Sequence, residues 1–161
     1  MKPLELEIQG LYSYREKERL DFRPFHRVRL FGIFGKTGDG KSSILDAMTF
    51  ALYGRLDRLG RNLREAVNPA SGHLLVNFSF ELDGEVFRVN RLFDPRSGTK
   101  AVLYRQEGGR WLPLAERTRE VEDQLERILG LRFEEFTKVV ILPQGKFAEF
   151  LRLTPARRAE M

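Results

Sequence analysis

The chain of 161 residues has no cysteine, only two histidines and no long uncharged apolar run. Without cysteine it can form neither a disulfide framework nor a thiolate metal site, and a reducing compartment suits it. No stretch approaches the roughly 18 apolar residues of a membrane helix. Glu5 and Glu7 interrupt the apolar core that a secretory signal would need. These absences predict a cytoplasmic protein without a membrane segment.

The composition is that of a folded domain. Apolar residues make up 42% of the chain and charged residues 32%, which is too hydrophobic for a disordered segment. The net charge of +5 and the pI of about 9.7 favour a polyanionic partner such as nucleic acid. His26 and His73 lie in predicted loops without partners at metal-ligand spacing, so we expect neither to hold a metal.

The first third of the chain shows strand patterns followed by a helix pattern. "LELEIQG" alternates apolar and polar residues as a half-buried strand does, and a second short strand is predicted around residues 20–22. Residues 28–34 are almost entirely apolar, which predicts a central strand covered on both faces, with the first two strands as its neighbours. Lys41 to Tyr53 has helical spacing, and Gly54 is a plausible end.

An irregular connection is expected over residues 54–72, followed by two β-hairpins. Asp83-Gly84 and Gly108-Gly109 tolerate the positive φ angles of tight hairpin turns. The hairpins predict a small antiparallel side sheet beside mostly parallel central strands. The aromatic residues that alternate along them are predicted to lie in the core: Phe78, Phe80, Phe87 and Trp111. A surface helix ending at Gly130 completes a single α/β unit.

The last part of the chain predicts a boundary at residue 145. A short helix leads into the apolar run at 139–142, the run breaks at Pro143-Gln144-Gly145, and helical spacing resumes from Phe147. We therefore expect residues 1–145 to form one lobe and residues 146–161 to begin a longer helix.

One motif carries most of the chemistry. Its residues match the phosphate loop G-x-x-x-x-G-K-[ST] at every fixed position: Gly35, Lys36, Thr37, Gly38, Asp39, Gly40, Lys41 and Ser42. Glycine lets backbone N–H groups converge on a phosphate, and the following helix adds its positive end. Lys41 is predicted to contact the β and γ phosphates of the nucleotide, and Ser42 is predicted to ligate Mg²⁺. Ser43 belongs to the same predicted site. No N-K-x-D run for guanine is present, which favours ATP.

Hydrolysis needs more than this loop provides. We find no run of four apolar residues followed by Asp, the usual source of a metal-binding carboxylate. Gln144, directly after a predicted buried strand, is an alternative ligand whose amide oxygen can contact Mg²⁺ or the attacking water. Alternatively, Gln144 is only a turn residue.

Four segments together resemble a known family. "LELEIQGLYSYREKERLDF", "GKTGDGKSSILDAMTFALYG", "VNFSFELDGEVFRVNRLF" and "VVILPQGKFAEFLRLTPARRAEM" look like the N-terminal lobe of SbcC, an SMC-like ABC-type ATPase. The resemblance implies that Gln144 is the Q-loop glutamine, and that the missing carboxylates belong to a C-terminal lobe beyond a coiled coil. It also implies pairing of two heads around ATP, DNA across the closed dimer and an SbcD-like nuclease partner acting on DNA ends, including double-strand breaks and hairpins. The isolated chain is then expected to bind ATP without efficient turnover, in a cytoplasmic, nucleoid-associated protein.

Other residues carry weaker signals, and other families fit parts of the pattern. Four arginines at a spacing of three are candidates for DNA phosphate contacts or belong to a solvated basic loop: Arg55, Arg58, Arg61 and Arg64. Asp46 is expected to support the helix rather than to catalyse. Tyr12 stands where some relatives carry a nucleotide-contacting arginine, so that role is not transferred. The alternatives are a stand-alone nucleotide kinase or GTPase, or the head of an SMC- or RecN-like protein without a nuclease partner.

Overall fold

The computed structural model describes residues 1–28 and 30–139. The chain divides into two compact units, residues 1–129 and 130–161. The first contains six strands, two helices and two short 3₁₀ segments at Arg23–Arg27 and Leu63–Ala66. Its strands are β1 (Lys2–Gln9), β2 (Glu18–Asp21), β3 (Leu74–Leu82), β4 (Glu85–Asp94), β5 (Gly98–Glu107) and β6 (Arg110–Ala115). Its helices are α1 (Lys41–Tyr53) and α2 (Thr118–Leu129), and the second unit contains α3 (Phe133–Val139).

The six strands form one sheet in the order β2-β1-β3-β4-β5-β6, and every neighbouring pair is antiparallel. Both predicted hairpins are confirmed. Asp83 and Gly84 have φ angles of 51° and 83° in the turn between β3 and β4. Because both angles are positive, they fit the twist of the flanking strands, as expected for a hairpin turn of this length.

The core lies on one face of the sheet. Side chains of alternating residues on β1, β3, β4 and β5 point to this face, where α1 packs against β3 and β4 and α2 packs against β5 and β6. The predicted core aromatics Phe78, Phe80 and Phe87 are buried there and stack in sequence, with ring centroids 5.5 Å apart. The α/β character and the limits of α1, including its end at Gly54, match the prediction.

The prediction of a central strand at residues 28–34 is wrong for the part of the chain that the structure describes. No strand forms there, and Leu30 and Phe34 are 89% and 94% exposed. The sheet order accounts for one part of this difference: β2 and β3 flank β1, so the apolar run cannot pair with β1 as predicted. The expectation of mostly parallel central strands is also wrong for the described residues, where the predicted side sheet and the first two strands form one antiparallel sheet.

The prediction that Trp111 lies in the core is also wrong, because this residue is only half-buried and lies on the opposite face of the sheet from the core. The Arg88 guanidinium lies over its ring, 4.2 Å from the centroid. Period-two alternation indicates which residues share a face of the sheet, but it does not indicate which face α1 and α2 cover. No helix in the described part of the chain is long and apolar enough to cross a membrane.

Candidate nucleotide-binding site

The phosphate loop lies directly before the first turn of α1. Gly40 is the N-cap residue, has a φ angle of 82°, and provides no side chain to bond the first N–H groups of the helix. The first turn also contains no acidic residue. Helix N-terminal N–H groups without a side-chain partner attract anions, and the helix dipole adds to this attraction. The local backbone is therefore arranged as an anion site.

Asp39 shapes the loop from inside. Its Oδ2 accepts a hydrogen bond of 2.6 Å from the Lys36 N–H, and the Asp39 N–H donates to the Lys36 carbonyl oxygen at 3.3 Å. A Cβ atom on Gly35 would lie only 2.8 Å from Asp39 Oδ2. Gly35 thus leaves room for the carboxylate that closes the turn. Asp39 was predicted as a member of the phosphate loop, but its contact with the Lys36 N–H was not.

Lys41 points back over the loop. Its Nζ donates to the Gly35 carbonyl oxygen at 2.8 Å and also to the Lys36 carbonyl oxygen. An ammonium has three donors, so it can exchange these carbonyls for phosphate oxygens without a change in its own charge. The lysine is thus held at the loop by groups that a phosphate can replace.

Two cavities flank the loop. The smaller, of about 350 Å³, adjoins the first turn of α1 and is lined by Tyr12, Ser42, Ser43, Asp46, Arg58, Leu59 and Glu65. Burial is the main cause that raises the pKa of Asp46, and nearby Arg58 partly offsets it. Burial also raises the pKa of Tyr12. Tyr12 stands where some relatives carry a nucleotide-contacting arginine, and the structure places it beside the loop. No signal in the sequence pointed to Arg58 and Glu65 as its neighbours there.

The larger cavity is an open groove of about 720 Å³ between the loop and the segment after β1, lined by Ser13, Tyr14, Arg15, Glu16, Glu18, Arg19, Leu20, Gly38 and Asp39. The Tyr14 hydroxyl donates to the Gly40 carbonyl oxygen at 3.3 Å. The groove is wide enough to admit a ligand that extends from the loop. Tyr14 and Arg15 were missed as site residues, although the neighbouring Tyr12 had been compared with a nucleotide-contacting residue of relatives.

The chemistry of the site fits Mg²⁺ in one respect. Magnesium takes oxygen ligands and usually keeps several waters, so a single protein hydroxyl plus phosphates can hold it. Ser42 supplies a partly exposed hydroxyl at the first helical turn. The described residues contain no cluster of three or more histidine, aspartate or glutamate side chains that could hold a metal ion alone. Gln144 lies outside the described residues.

The four candidate arginines do not form one stripe. Arg58 faces the smaller cavity, Arg61 pairs with Glu122 at 2.9 Å, and the Arg64 side chain donates to the Pro95 carbonyl oxygen at 2.6 Å. Arg55 is partly buried and also has an interaction partner. Arg58, Arg61 and Arg64 are exposed.

A comparison of folds supports the predicted class. The head domain of SMC from Thermotoga maritima matches 77% of this chain and 42% of that structure, with a TM-score of 0.50 and 25% sequence identity. The α/β fold of a P-loop, ABC-type head lobe is therefore confirmed.

Sequence comparisons cover almost all of the chain. A family model described as AAA domain matches residues 5–161. The chain is 42% identical over its whole length to the SbcC component of the nuclease SbcCD from Bacillus subtilis, and 39% identical to that from Deinococcus radiodurans. It is 38% identical over 98% of its length to a probable DNA double-strand break repair Rad50 ATPase from Aquifex aeolicus. It spans only 15%, 18% and 16% of these relatives. The resemblance to SbcC is thus confirmed, and the chain belongs to the AAA domain family.

Proposed function

We propose that this chain binds ATP with Mg²⁺ at residues 35–43. The single observation that carries the proposal is the complete phosphate-loop motif at an uncapped helix N-terminus, with Lys41 held over the loop by exchangeable carbonyl contacts. The backbone N–H groups of the loop would hold the phosphates, Lys41 would neutralise part of their charge, and the Ser42 hydroxyl would ligate the metal. Bound Mg²⁺ would neutralise charge that develops on the phosphates.

Hydrolysis is proposed to require further protein parts. Gln144 is the proposed contact to Mg²⁺ and the attacking water. The missing carboxylates are proposed to belong to a C-terminal lobe, and a second head is proposed to complete the enzyme. The apolar run at residues 30–34 supports a missing lobe, because Leu30 and Phe34 are large apolar side chains that are almost fully exposed. Exposed apolar patches on folded domains mark surfaces that another protein segment covers. The isolated chain is proposed to bind ATP without efficient turnover. A division at residue 145, with a coiled-coil helix after it, is part of this proposal.

At the level of the whole protein, we propose a DNA-repair ATPase whose ATP-driven head pairing controls an SbcD-like nuclease at DNA ends, including double-strand breaks and hairpins. The names of the SbcCD and Rad50 relatives support this proposal. Such a protein would act in the cytoplasm at the nucleoid. Exposed arginines after α1 are the proposed phosphate contacts to DNA.

The two loop lysines allow a matched test of the site. In the full-length protein that contains this chain, Lys41→Ala is expected to abolish Mg·ATP binding in calorimetry and ATP turnover. Lys36→Ala is the control: it removes the same charge from the same loop, but Lys36 contributes its backbone rather than its side chain. Unchanged ATP binding in Lys41→Ala would refute the site, whereas equal loss in both variants would point to general loop charge.

The likeness to an SMC head keeps a second candidate open, a chromosome-organising ATPase without a nuclease partner. Purification of the full-length protein from its own cells distinguishes the two. A nuclease that copurifies in fixed stoichiometry supports the SbcC-like function, and its absence at low salt supports the SMC-like one.

A further inference from the structure

Arg91 on β4 is a charged residue at a core position. It follows Phe87 and Val89 in the alternation of inward-facing side chains, and it is 0% exposed. Removing a guanidinium from water costs several kcal/mol unless nearby groups compensate for its charge. Burial lowers the pKa of Arg91 to about 10, although Glu122 acts in the opposite direction. A residue kept at such a cost points to a specific task.

The guanidinium holds the C-terminal end of α1. Arg91 Nε donates to the Ala51 carbonyl oxygen at 2.9 Å, and Nη2 donates to that of Leu52 at 3.4 Å. Both carbonyls lie in the last turn of a helix that ends at Tyr53. The last carbonyls of a helix have no partner within it and carry its negative partial charge. A buried arginine satisfies both needs.

Glu122 on α2 supplies the counter-charge, but only at a distance. Arg91 Nη1 lies 3.7 Å from Glu122 Oε1 and has no hydrogen-bond partner among the described residues. Gly54 makes room for this pair: a Cβ atom there would lie 2.7 Å from Nη1 and 2.9 Å from Oε1. The pair is therefore built into the fold, yet incompletely closed.

Arg61 takes the larger share of the same carboxylate. Its Nη2 donates to Glu122 Oε2 at 2.9 Å and its Nη1 to Oε1 at 3.3 Å, a two-point contact made from an exposed position. A carboxylate that holds Arg61 by two hydrogen bonds is less able to move toward Arg91. Arg61 and Arg91 thus compete for Glu122.

We propose that Arg91 is a positioning residue for the phosphate loop, that Glu122 strengthens its hold on α1, and that Arg61 weakens this hold by competing for Glu122. The inference rests on the proposed ATP site. With 13 residues, α1 is about 20 Å long and moves as a rod, so a shift at its C-terminus is carried to Gly40 and Lys41. Fixing one end of the helix therefore fixes the N–H groups at the other.

Three variants of the full-length protein test this: Glu122→Gln, Arg61→Gln and their combination. Glu122→Gln is expected to weaken Mg·ATP binding roughly three- to tenfold, because Arg91 loses its counter-charge. Arg61→Gln is expected to tighten binding, since Glu122 is released toward Arg91. In the Glu122→Gln background, Arg61→Gln should have no further effect, because their shared group is gone. Calorimetry gives Kd, and thermal unfolding is measured in parallel.

The control is Glu126→Gln, the same charge change one turn further along α2 at an exposed position, and it should leave Kd unchanged. A Glu122→Gln variant that melts at a lower temperature but keeps its Kd shows a merely structural role and overturns the inference. Additive effects of the two changes overturn it as well.

The ATP site itself is tested separately. If the unmodified protein binds ATP and Lys41→Ala does not, the proposed site stands whatever Glu122→Gln does. If the unmodified protein does not bind ATP, the site and this inference both fall. Should Glu122→Gln not fold, Arg61→Gln decides alone, since it leaves all buried contacts in place: tighter binding supports the inference, and unchanged or weaker binding overturns it.

Discussion

Replacing Gly40, at the candidate site, by alanine should lower the free energy of unfolding more than the same change at Gly38. At Gly40 the φ angle of 82° costs an L-residue about 1–2 kcal/mol. The added Cβ atom would also lie 2.7 Å from both Ser13 Oγ and Tyr14 Cε2. Both contacts are side-chain atoms, so they can move by leaving their present rotamers, which adds about 0.5–1.5 kcal/mol. The expected total loss in the free energy of unfolding is about 1.5–3.5 kcal/mol.

Gly38→Ala isolates the backbone part of this cost. Gly38 has a φ angle of 94°, but a Cβ atom there meets nothing within 4 Å. It should therefore lose only about 1–2 kcal/mol. Urea unfolding of the 161-residue chain, followed by circular dichroism, measures both variants. Equal losses would show that the segment after β1 does not press on Gly40, and would refute the contact from which the larger loss follows.

Two further predictions concern charges around α1. The pKa of Asp46 is raised from 3.8, mainly by burial, so the folded chain binds this proton more tightly than the unfolded chain does. The free energy of unfolding should consequently fall as the pH rises from 3.8 through the raised pKa of Asp46. Asp46→Asn should remove this fall when unfolding is measured at several pH values. If the variant keeps the same pH dependence, burial of Asp46 is not its cause. Arg58→Gln and Arg64→Gln should each reduce, by about 1, the slope of the logarithm of the association constant for duplex DNA against the logarithm of the salt concentration. An unchanged slope would exclude the replaced arginine as a phosphate contact.

The elements that sequence analysis predicted well are those defined by neighbouring residues in the chain. Gly54 ends α1 because it adopts a left-handed conformation there, and Asp83-Gly84 forms the hairpin turn for the same local reason. The phosphate loop is also local, since its donors, its lysine and its helix follow one another directly. Such features require no knowledge of what packs against them.

The features that it missed depend on partners elsewhere in the chain. Residues 28–34 have the composition of a buried strand, but composition does not tell that β2 and β3 take both sides of β1, the strand with which this run was expected to pair. Arg91 was detectable in principle, because a charged residue at an inward position of an alternating strand is unusual. Its partners on α1 and α2 were not, since 31 residues separate it from Glu122.

Helix α1 has a fixed length as well as a fixed position. Left-handed glycines bound it on both sides, at Gly40 and Gly54, and each is closely surrounded by other groups. One inserted residue would turn everything beyond it by about 100° and lengthen the helix by about 1.5 Å. The carbonyls that Arg91 holds would then point away from β4, or the phosphate loop would rotate instead. An insertion within α1 is therefore expected to disturb either the phosphate loop or the Arg91 contacts, whereas a substitution that keeps the number of residues leaves both ends in place.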